Sequence, residues 1–296
     1  MQLEFFLKFP SMERESLRDL KKGIDLTFKD FSREYGDSIE GFFSPLLKFL
    51  VWFEKFLITT PWPIVIFLLS FLAWLSSRNL KLSIGTAISF FIIGYFGMWK
   101  DTMSTMAIIS VATLICLFLG TPIGILMARS ERLKNILSPV LDMMQTIPTF
   151  VYLIPIIMLL GIGKVPGLLA VCVYAIPPIV RLTNLGIREV DRKLVEAAKA
   201  LGIKKRIILF KIEIPLALPS IMTGVNQTIM MALAMVVIAS MIGVSGLGVP
   251  ILRSISNQFL ALGLMNGLAI VALAIIFDRI SQNYAKRMQK YKKNKR

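Results

Sequence analysis

Long apolar runs are the feature that most constrains this chain. A helix needs about 17–25 predominantly apolar residues to cross the hydrocarbon of a bilayer. Seven stretches approach or reach that length: Pro61–Ser77, Leu82–Met98, Thr102–Met127, Ile147–Gly161, Val165–Leu182, Pro219–Val244 and Phe259–Phe277. We therefore predict an all-α, polytopic integral membrane protein with about seven transmembrane helices, within a range of five to seven.

The fourth and fifth stretches are short and rich in proline. Pro148 and Pro155 lie in or beside the fourth, and Pro166, Pro177 and Pro178 lie in the fifth. Proline removes a backbone donor, and the groups it frees at membrane depth must be covered by protein or water. Each stretch is therefore a candidate for a broken or re-entrant segment rather than a straight span.

Composition excludes several kinds of chemistry. Of 296 residues 55% are hydrophobic and 18% are charged, and histidine is absent, which excludes histidine metal sites and Ser-His triads. Both cysteines lie in apolar runs and are expected to be packing residues. The segment Gly161–Val165 lacks the full P-loop pattern, and the glycine-rich segment Gly243–Gly248 is expected to be a flexible extracytoplasmic loop. We predict no catalytic residue, no metal and no cofactor bound by this chain.

The net charge of +16 is placed as in a membrane protein with basic cytoplasmic loops. Alternate connections and the C-terminus hold 22 Lys/Arg, whereas the remaining connections hold only Lys100, Lys164 and Arg253. Cytoplasmic loops carry the excess of positive charge. With seven spans, the C-terminus and its basic tail, residues 283–296, lie in the cytoplasm, and the N-terminus lies outside. We therefore expect the chain to contact the lipid bilayer and not nucleic acid.

Residues 1–60 precede the first span and are nearly neutral, with nine Lys/Arg against ten Asp/Glu. Residues 42–60 are expected to form an amphipathic helix that lies in the membrane interface. Its apolar side is expected to carry Leu46, Leu47, Leu50, Phe53 and Leu57. We expect Lys48, Glu54 and Lys55 to lie off that side. A scaffold helix and a simple tether both remain open as its role.

Polar side chains within the apolar stretches mark a candidate pathway. No charged residue lies near the middle of a predicted span, which disfavours a proton-coupled carrier. Buried amides and hydroxyls must face other helices or a wet pathway, and both interpretations stay open. We predict these pathway residues: Gln145, Asn226, Gln227, Thr228 and Ser240.

The connection between the fifth and sixth stretches, residues 186–219, is long and polar. Asp191 is expected to cap a helix over Arg192–Leu201, which Gly202 ends. A second helix over Lys204–Ile212 is expected to end before Pro215. Four residues at helical spacing are expected to share one exposed face: Leu194, Ala197, Ala198 and Leu201.

This connection resembles the EAA loop of binding-protein-dependent ABC importer permeases. That pattern is Glu-Ala-Ala, three residues, Gly, nine residues and Ile-x-Leu-Pro, with Ile214 here in place of the usual Leu. The matching residues are Glu196, Ala197, Ala198, Gly202, Ile212 and Pro215. Residues 141–155, 175–183, 224–228 and 237–248 extend the resemblance to permeases of glycine betaine/proline betaine importers, over roughly residues 103–282.

The resemblance implies a permease core over residues 99–282, with residues 61–98 forming two accessory spans. It implies a bacterial inner-membrane subunit that pairs with a second copy of itself. Separate ABC subunits would bind ATP and magnesium, contact the EAA loop and drive import. An extracytoplasmic protein would deliver the solute and hold the aromatic cage that recognises quaternary ammonium.

Two groups of alternatives stay open. One alternative within transport is an ABC permease whose solute is choline, carnitine or an amino acid. The alternatives from other functional classes are an ATP-independent carrier or channel and a membrane scaffold without a transport activity.

Overall fold

The computed structural model describes residues 11–293, with side chains to residue 284, and this part of the chain is all-helical, as predicted. Its helices are α1 Arg14–Thr59, α2 Trp62–Ser77, α3 Leu80–Tyr95, α4 Trp99–Arg129, α5 Glu131–Thr146, α6 Thr149–Leu160, α7 Lys164–Arg188, α8 Arg192–Ala200, α9 Lys205–Ile208, α10 Ile214–Ala239, α11 Gly248–Asn257 and α12 Leu260–Lys293. A π-helical turn, Leu209–Glu213, joins α9 to α10, and a 3₁₀ turn, Ser240–Ile242, follows α10.

Within the described residues, four helical stretches are long and apolar enough to cross a membrane: α4, α7, Lys205–Ile242 and α12. Two more spans are present if each bent pair counts as one, namely α1 with α2 and α5 with α6. The resulting count of four to six spans overlaps the predicted range of five to seven spans. A seventh span requires α3, whose 16 residues extend only about 24 Å at 1.5 Å per residue.

The two proline-rich stretches behave differently. The fourth stretch forms α6, which continues through Pro155, and the 99° bend next to Pro148 lies at its edge, between α5 and α6. The fifth is one continuous helix, α7, and the expected break is wrong there. Pro177 and Pro178 lie buried inside α7. A membrane helix tolerates proline where neighbouring helices pack around it.

Small residues bring the central helices together, with α7 packed against both α4 and α10. A Cβ atom on Gly124 of α4 would lie 2.6 Å from the Thr183 Cβ atom of α7. A Cβ atom on Gly186 of α7 would lie 2.6 Å from the Ser220 Cβ atom of α10. Membrane helices use such residues to approach closely, so Gly120 and Gly124 serve packing within this chain.

The helix α1 begins at Arg14, far earlier than the predicted start at residue 42, and it bends by 108° into α2. It packs against α4, α6 and α7. The Ser32 hydroxyl donates to the Met158 carbonyl at 2.6 Å, and a Cβ atom on Gly36 would lie 3.1 Å from the Leu159 carbonyl oxygen. This helix therefore lies across one end of the central helices.

Candidate coupling loop and translocation pathway

The loop between α7 and α10 has the predicted cap and stop. The Asp191 carboxylate accepts a hydrogen bond from the Lys193 backbone N–H at 2.9 Å, and α8 starts at Arg192. Gly202 has φ +73°, a left-handed conformation that favours glycine. The Ile203 backbone N–H then donates to the Ala198 carbonyl at 3.1 Å. This bond is the cap of a Schellman motif, and both predicted ends of the helix are confirmed to within a residue.

Of the four residues expected on one exposed face of α8, three are exposed in the structure and one is buried. Leu194, Ala197 and Leu201 are exposed, and Leu201 exposes 79% of its surface. Ala198 is only 4% exposed and lies three residues after the half-buried Val195, with which it forms the inner side of α8. Glu196 is exposed beside the outer face. The loop therefore exposes three apolar residues among charged side chains, without Ala198, and we call Leu194, Ala197 and Leu201 the patch.

The second half of the loop does not end where the sequence predicts. A single turn of α9 runs into the π-helical turn, which contains the half-buried Ile212, and α10 follows without a break. Pro215 lies in the first turn of α10. Proline lacks the N–H that would continue the helical hydrogen bonds, and the π-helical turn lies directly before Pro215, where that bond is missing. The loop is therefore joined directly to a central helix.

Ion pairs tie this loop and its neighbours to the central helices. Arg129, at the end of α4, pairs with the nearly buried Glu213 of the π-helical turn. Arg188 of α7 pairs with Glu131 of α5 and donates to the Met127 carbonyl at 2.9 Å. The hydrogen bond from Arg188 lowers the pKa of the exposed Glu131 carboxyl. We call this end of the helices the loop end.

The predicted pathway residues fall into two environments. Gln227 is exposed, in a stripe along α10 that also includes Thr223, Met230 and Ala234. Gln145 is exposed near the end of α5, a helix that packs on α4 and α7. The structure does not place Gln145 on the stripe of α10.

The other three predicted residues point into the protein. Asn226 donates from its Nδ2 atom to the Asp278 Oδ1 atom of α12 at 2.7 Å, and its Oδ1 atom accepts from the Ser281 hydroxyl at 2.6 Å. Ser240 donates to the Val236 carbonyl at 3.0 Å. The Thr228 hydroxyl is buried without a hydrogen-bond partner among the described residues. Asn226 therefore joins helices, whereas Gln227 remains available to a pathway.

The family whose members are described as binding-protein-dependent transport system inner membrane components matches residues 120–290, which is more than half of the chain. The chain belongs to this family. It is a multi-pass inner-membrane permease, and its match includes the loop and all of α10.

Curated relatives carry more specific names. The permease is 44% identical over 261 residues to the glycine betaine/proline betaine transport system permease protein ProW of Escherichia coli (strain K12), over 88% of this chain and 72% of that protein. It is 50% identical over 217 residues to the protein of the same name from Salmonella typhimurium, over 73% of this chain and 61% of that relative, less than two thirds of its length.

Among solved structures, an inward-facing conformation of the MetNI methionine ABC transporter has a similar fold. The TM-score is 0.58 at 19% identity, over 64% of this chain and 95% of that one. This likeness shows the fold alone, and it confirms the predicted ABC-permease architecture.

A polar cluster lies at the end of the permease opposite the loop, and sequence reasoning missed it. Glu54 of α1 is buried and forms an ion pair with Lys164 at the start of α7. The Glu54 Oε1 atom also accepts from the Ser104 hydroxyl at 2.8 Å and from the Ser245 hydroxyl at 3.3 Å. The expectation that Glu54 lies off the apolar side is wrong. Its position four residues after the buried Leu50, on one helix face, was the available signal.

The glycine-rich segment beside this cluster is not the flexible loop that the sequence predicts. Leu247 is fully buried, and its backbone N–H donates to the Thr105 hydroxyl of α4 at 2.9 Å. A Cβ atom on Gly246 would lie 2.4 Å from the same hydroxyl. The glycines of this turn allow its backbone to pack closely on α4.

Proposed function

We propose that this permease is the membrane subunit of an ATP-driven importer for glycine betaine or proline betaine. It forms the translocation pathway and couples to separate ATPase subunits, and an extracytoplasmic binding protein delivers the solute. The names of its close relatives support the substrate class. The observation that carries the coupling role is the exposed loop patch, which is followed by the Gly202 turn and then by α9, the π-helical turn and α10 without a further break.

In this proposal the ATPase contacts Leu194, Ala197 and Leu201, the outward residues of the loop. A force applied there reaches α10 through the π-helical turn, and it reaches α4 through the pair between Arg129 and Glu213. Rigid helical connections of this kind transmit a rotation of one subunit to another. ATP and magnesium belong to the ATPase.

The exposed stripe on α10 supports a pathway between two copies of the chain. Thr223 and Gln227 are polar and exposed on a helix long and apolar enough to span the membrane. Polar side chains at such depth face water or another helix rather than lipid. A second copy of the chain, placed against this stripe, would enclose them in a wet passage.

The charge asymmetry of the sequence supports a cytoplasmic position for the loop end. The C-terminus then lies inside, the N-terminus outside, and α1 rests at the extracytoplasmic surface as a scaffold for residues 61–98 and the core. The solute-binding protein would approach at the end where Glu54 and Lys164 lie. The predicted basic tail falls mostly outside the residues with described side chains.

The first experiment tests the coupling role. Membrane vesicles with the ATPase and the binding protein should take up glycine betaine only when ATP is present. Gly202→Asp should abolish this uptake without reducing the amount of permease in the membrane, because the left-handed φ disfavours any side chain and the charge disrupts the contact. Normal uptake by this variant would contradict the role of the loop. Uptake without ATP would favour a carrier or channel instead.

A second experiment tests the contact itself. Leu201→Cys places a thiol at a position of the patch that is 79% exposed, and the native Cys116 and Cys172 are both buried. During import, a thiol-directed crosslinker should capture the ATPase from this position. Ile255→Cys is the matched control, since Ile255 is 70% exposed but lies on α11. Equal capture from both positions, or from neither, would contradict the proposed contact.

A further inference from the structure

A cavity of about 320 Å³ separates the coupling loop from the ends of α4 and α7. It lies on the inner side of the loop, away from the exposed Leu201. Two of its walls come from the loop, and the others come from the last residues of α4 and from α7. Six of the lining residues are Ala128, Arg129, Ile187, Lys199, Lys205 and Glu213.

The charges around this cavity do not balance. Arg129 pairs with Glu213, and this pair is neutral. Lys199 and Lys205 also line the cavity, and neither takes part in an ion pair among the described residues. The lining therefore includes two lysines that are also exposed to solvent and that have no carboxylate of their own. An anion in the cavity would balance this excess of positive charge.

We propose that this cavity binds a phosphate-bearing anion. Its charge would match the two lysines, and phosphate oxygens accept the hydrogen bonds that ammonium groups donate. Basic pockets at the cytoplasmic ends of transmembrane helices bind lipid headgroups, and this site lies where two apolar helices, α4 and α7, end. The phosphate belongs to an anionic phospholipid or to a soluble phosphate compound, two sources with the same chemistry.

The bound anion would connect three parts of the permease. Lys199 belongs to α8, Lys205 belongs to α9, and Arg129 ends α4. A phosphate that contacts both lysines would fix the two loop helices to each other and hold them beside α4. Its effect on ATP-driven import rests on the proposed coupling function, whereas its binding does not.

Binding is tested on the purified full-length permease, without the ATPase. One arm measures, by native mass spectrometry, how much phosphatidylglycerol the protein retains relative to zwitterionic phosphatidylcholine. The other arm compares thermal unfolding in sodium orthophosphate and in sodium chloride at equal ionic strength. The test variant is Lys199→Gln with Lys205→Gln. The matched control is Lys204→Gln with Arg206→Gln, which removes the same charge from the same loop outside the cavity lining.

Each lysine beside an anionic surface is expected to strengthen binding about 5-fold, so the test variant should lose roughly 25-fold in affinity. Loss of phosphatidylglycerol retention in the test variant alone identifies a lipid. Loss of stabilisation by orthophosphate in the test variant alone identifies a soluble anion. Equal behaviour of the test and control variants in both arms overturns the proposal. If the test variant does not fold, each single lysine variant carries the same comparison with a change of about 5-fold.

Discussion

The buried pair of Glu54 and Lys164 joins α1 to the central helices, and a double-mutant cycle measures its strength. The perturbation is Glu54→Gln. Glutamine keeps an oxygen that accepts from Ser104 and Ser245, but it loses the charge that Lys164 requires. The cycle is completed by Lys164→Gln and by the variant that carries both changes.

The expected size of the effect follows from the exposure of the two side chains. Glu54 is 11% exposed and Lys164 is 33% exposed. Breaking a fully buried pair costs about 3–5 kcal/mol, but water reaches part of the Lys164 ammonium group and reduces that cost. A hydrogen bond to a charged group contributes about 1.5–3 kcal/mol. We therefore expect Glu54→Gln to lower the free energy of unfolding by about 2 kcal/mol.

The assay is thermal unfolding of the purified permease in detergent, followed by circular dichroism. A loss of this size lowers the midpoint by roughly 3 °C for a chain of 296 residues. Lys55→Gln is the control, because Lys55 is exposed on the same helix and should change stability by less than about 0.5 kcal/mol. The coupling energy of the cycle should be about 1–2 kcal/mol. Additivity of the two single changes within about 0.5 kcal/mol would refute a direct interaction.

Two further changes test the packing and the polar contacts of the central helices. Gly124→Val should prevent accumulation of the protein in the membrane, because its Cβ atom would lie 2.6 Å from an atom of Thr183. Gly267→Ala should accumulate normally on an immunoblot, since nothing lies within 4 Å of the added carbon; equal levels of the two variants would contradict the packing. Asn226→Leu removes hydrogen bonds to Asp278 and Ser281 and should destabilise the protein by about 1–3 kcal/mol in thermal unfolding. Unchanged stability with lost uptake would assign Asn226 to the pathway.

Local rules explain the parts of the candidate site that the sequence predicted well. A capping carboxylate and a left-handed glycine act within a few residues, so Asp191 and Gly202 are enough to predict where α8 begins and ends. The same reasoning failed at Pro215. A proline disfavours the helical conformation in the residue before it, so the sequence predicts that the preceding helix ends there. In the structure a π-helical turn precedes Pro215 instead, and the helix continues into α10.

The hydrophobic pattern by itself determined the all-helical membrane class and most of the long apolar helices, because spanning the hydrocarbon requires length and apolar character within one segment. It did not determine which polar groups would meet. Glu54 and Lys164 are 110 residues apart in the chain, and Asn226 and Asp278 are 52 apart. Such contacts depend on how the helices pack against each other, and only the tertiary structure brought the partners within hydrogen-bond distance.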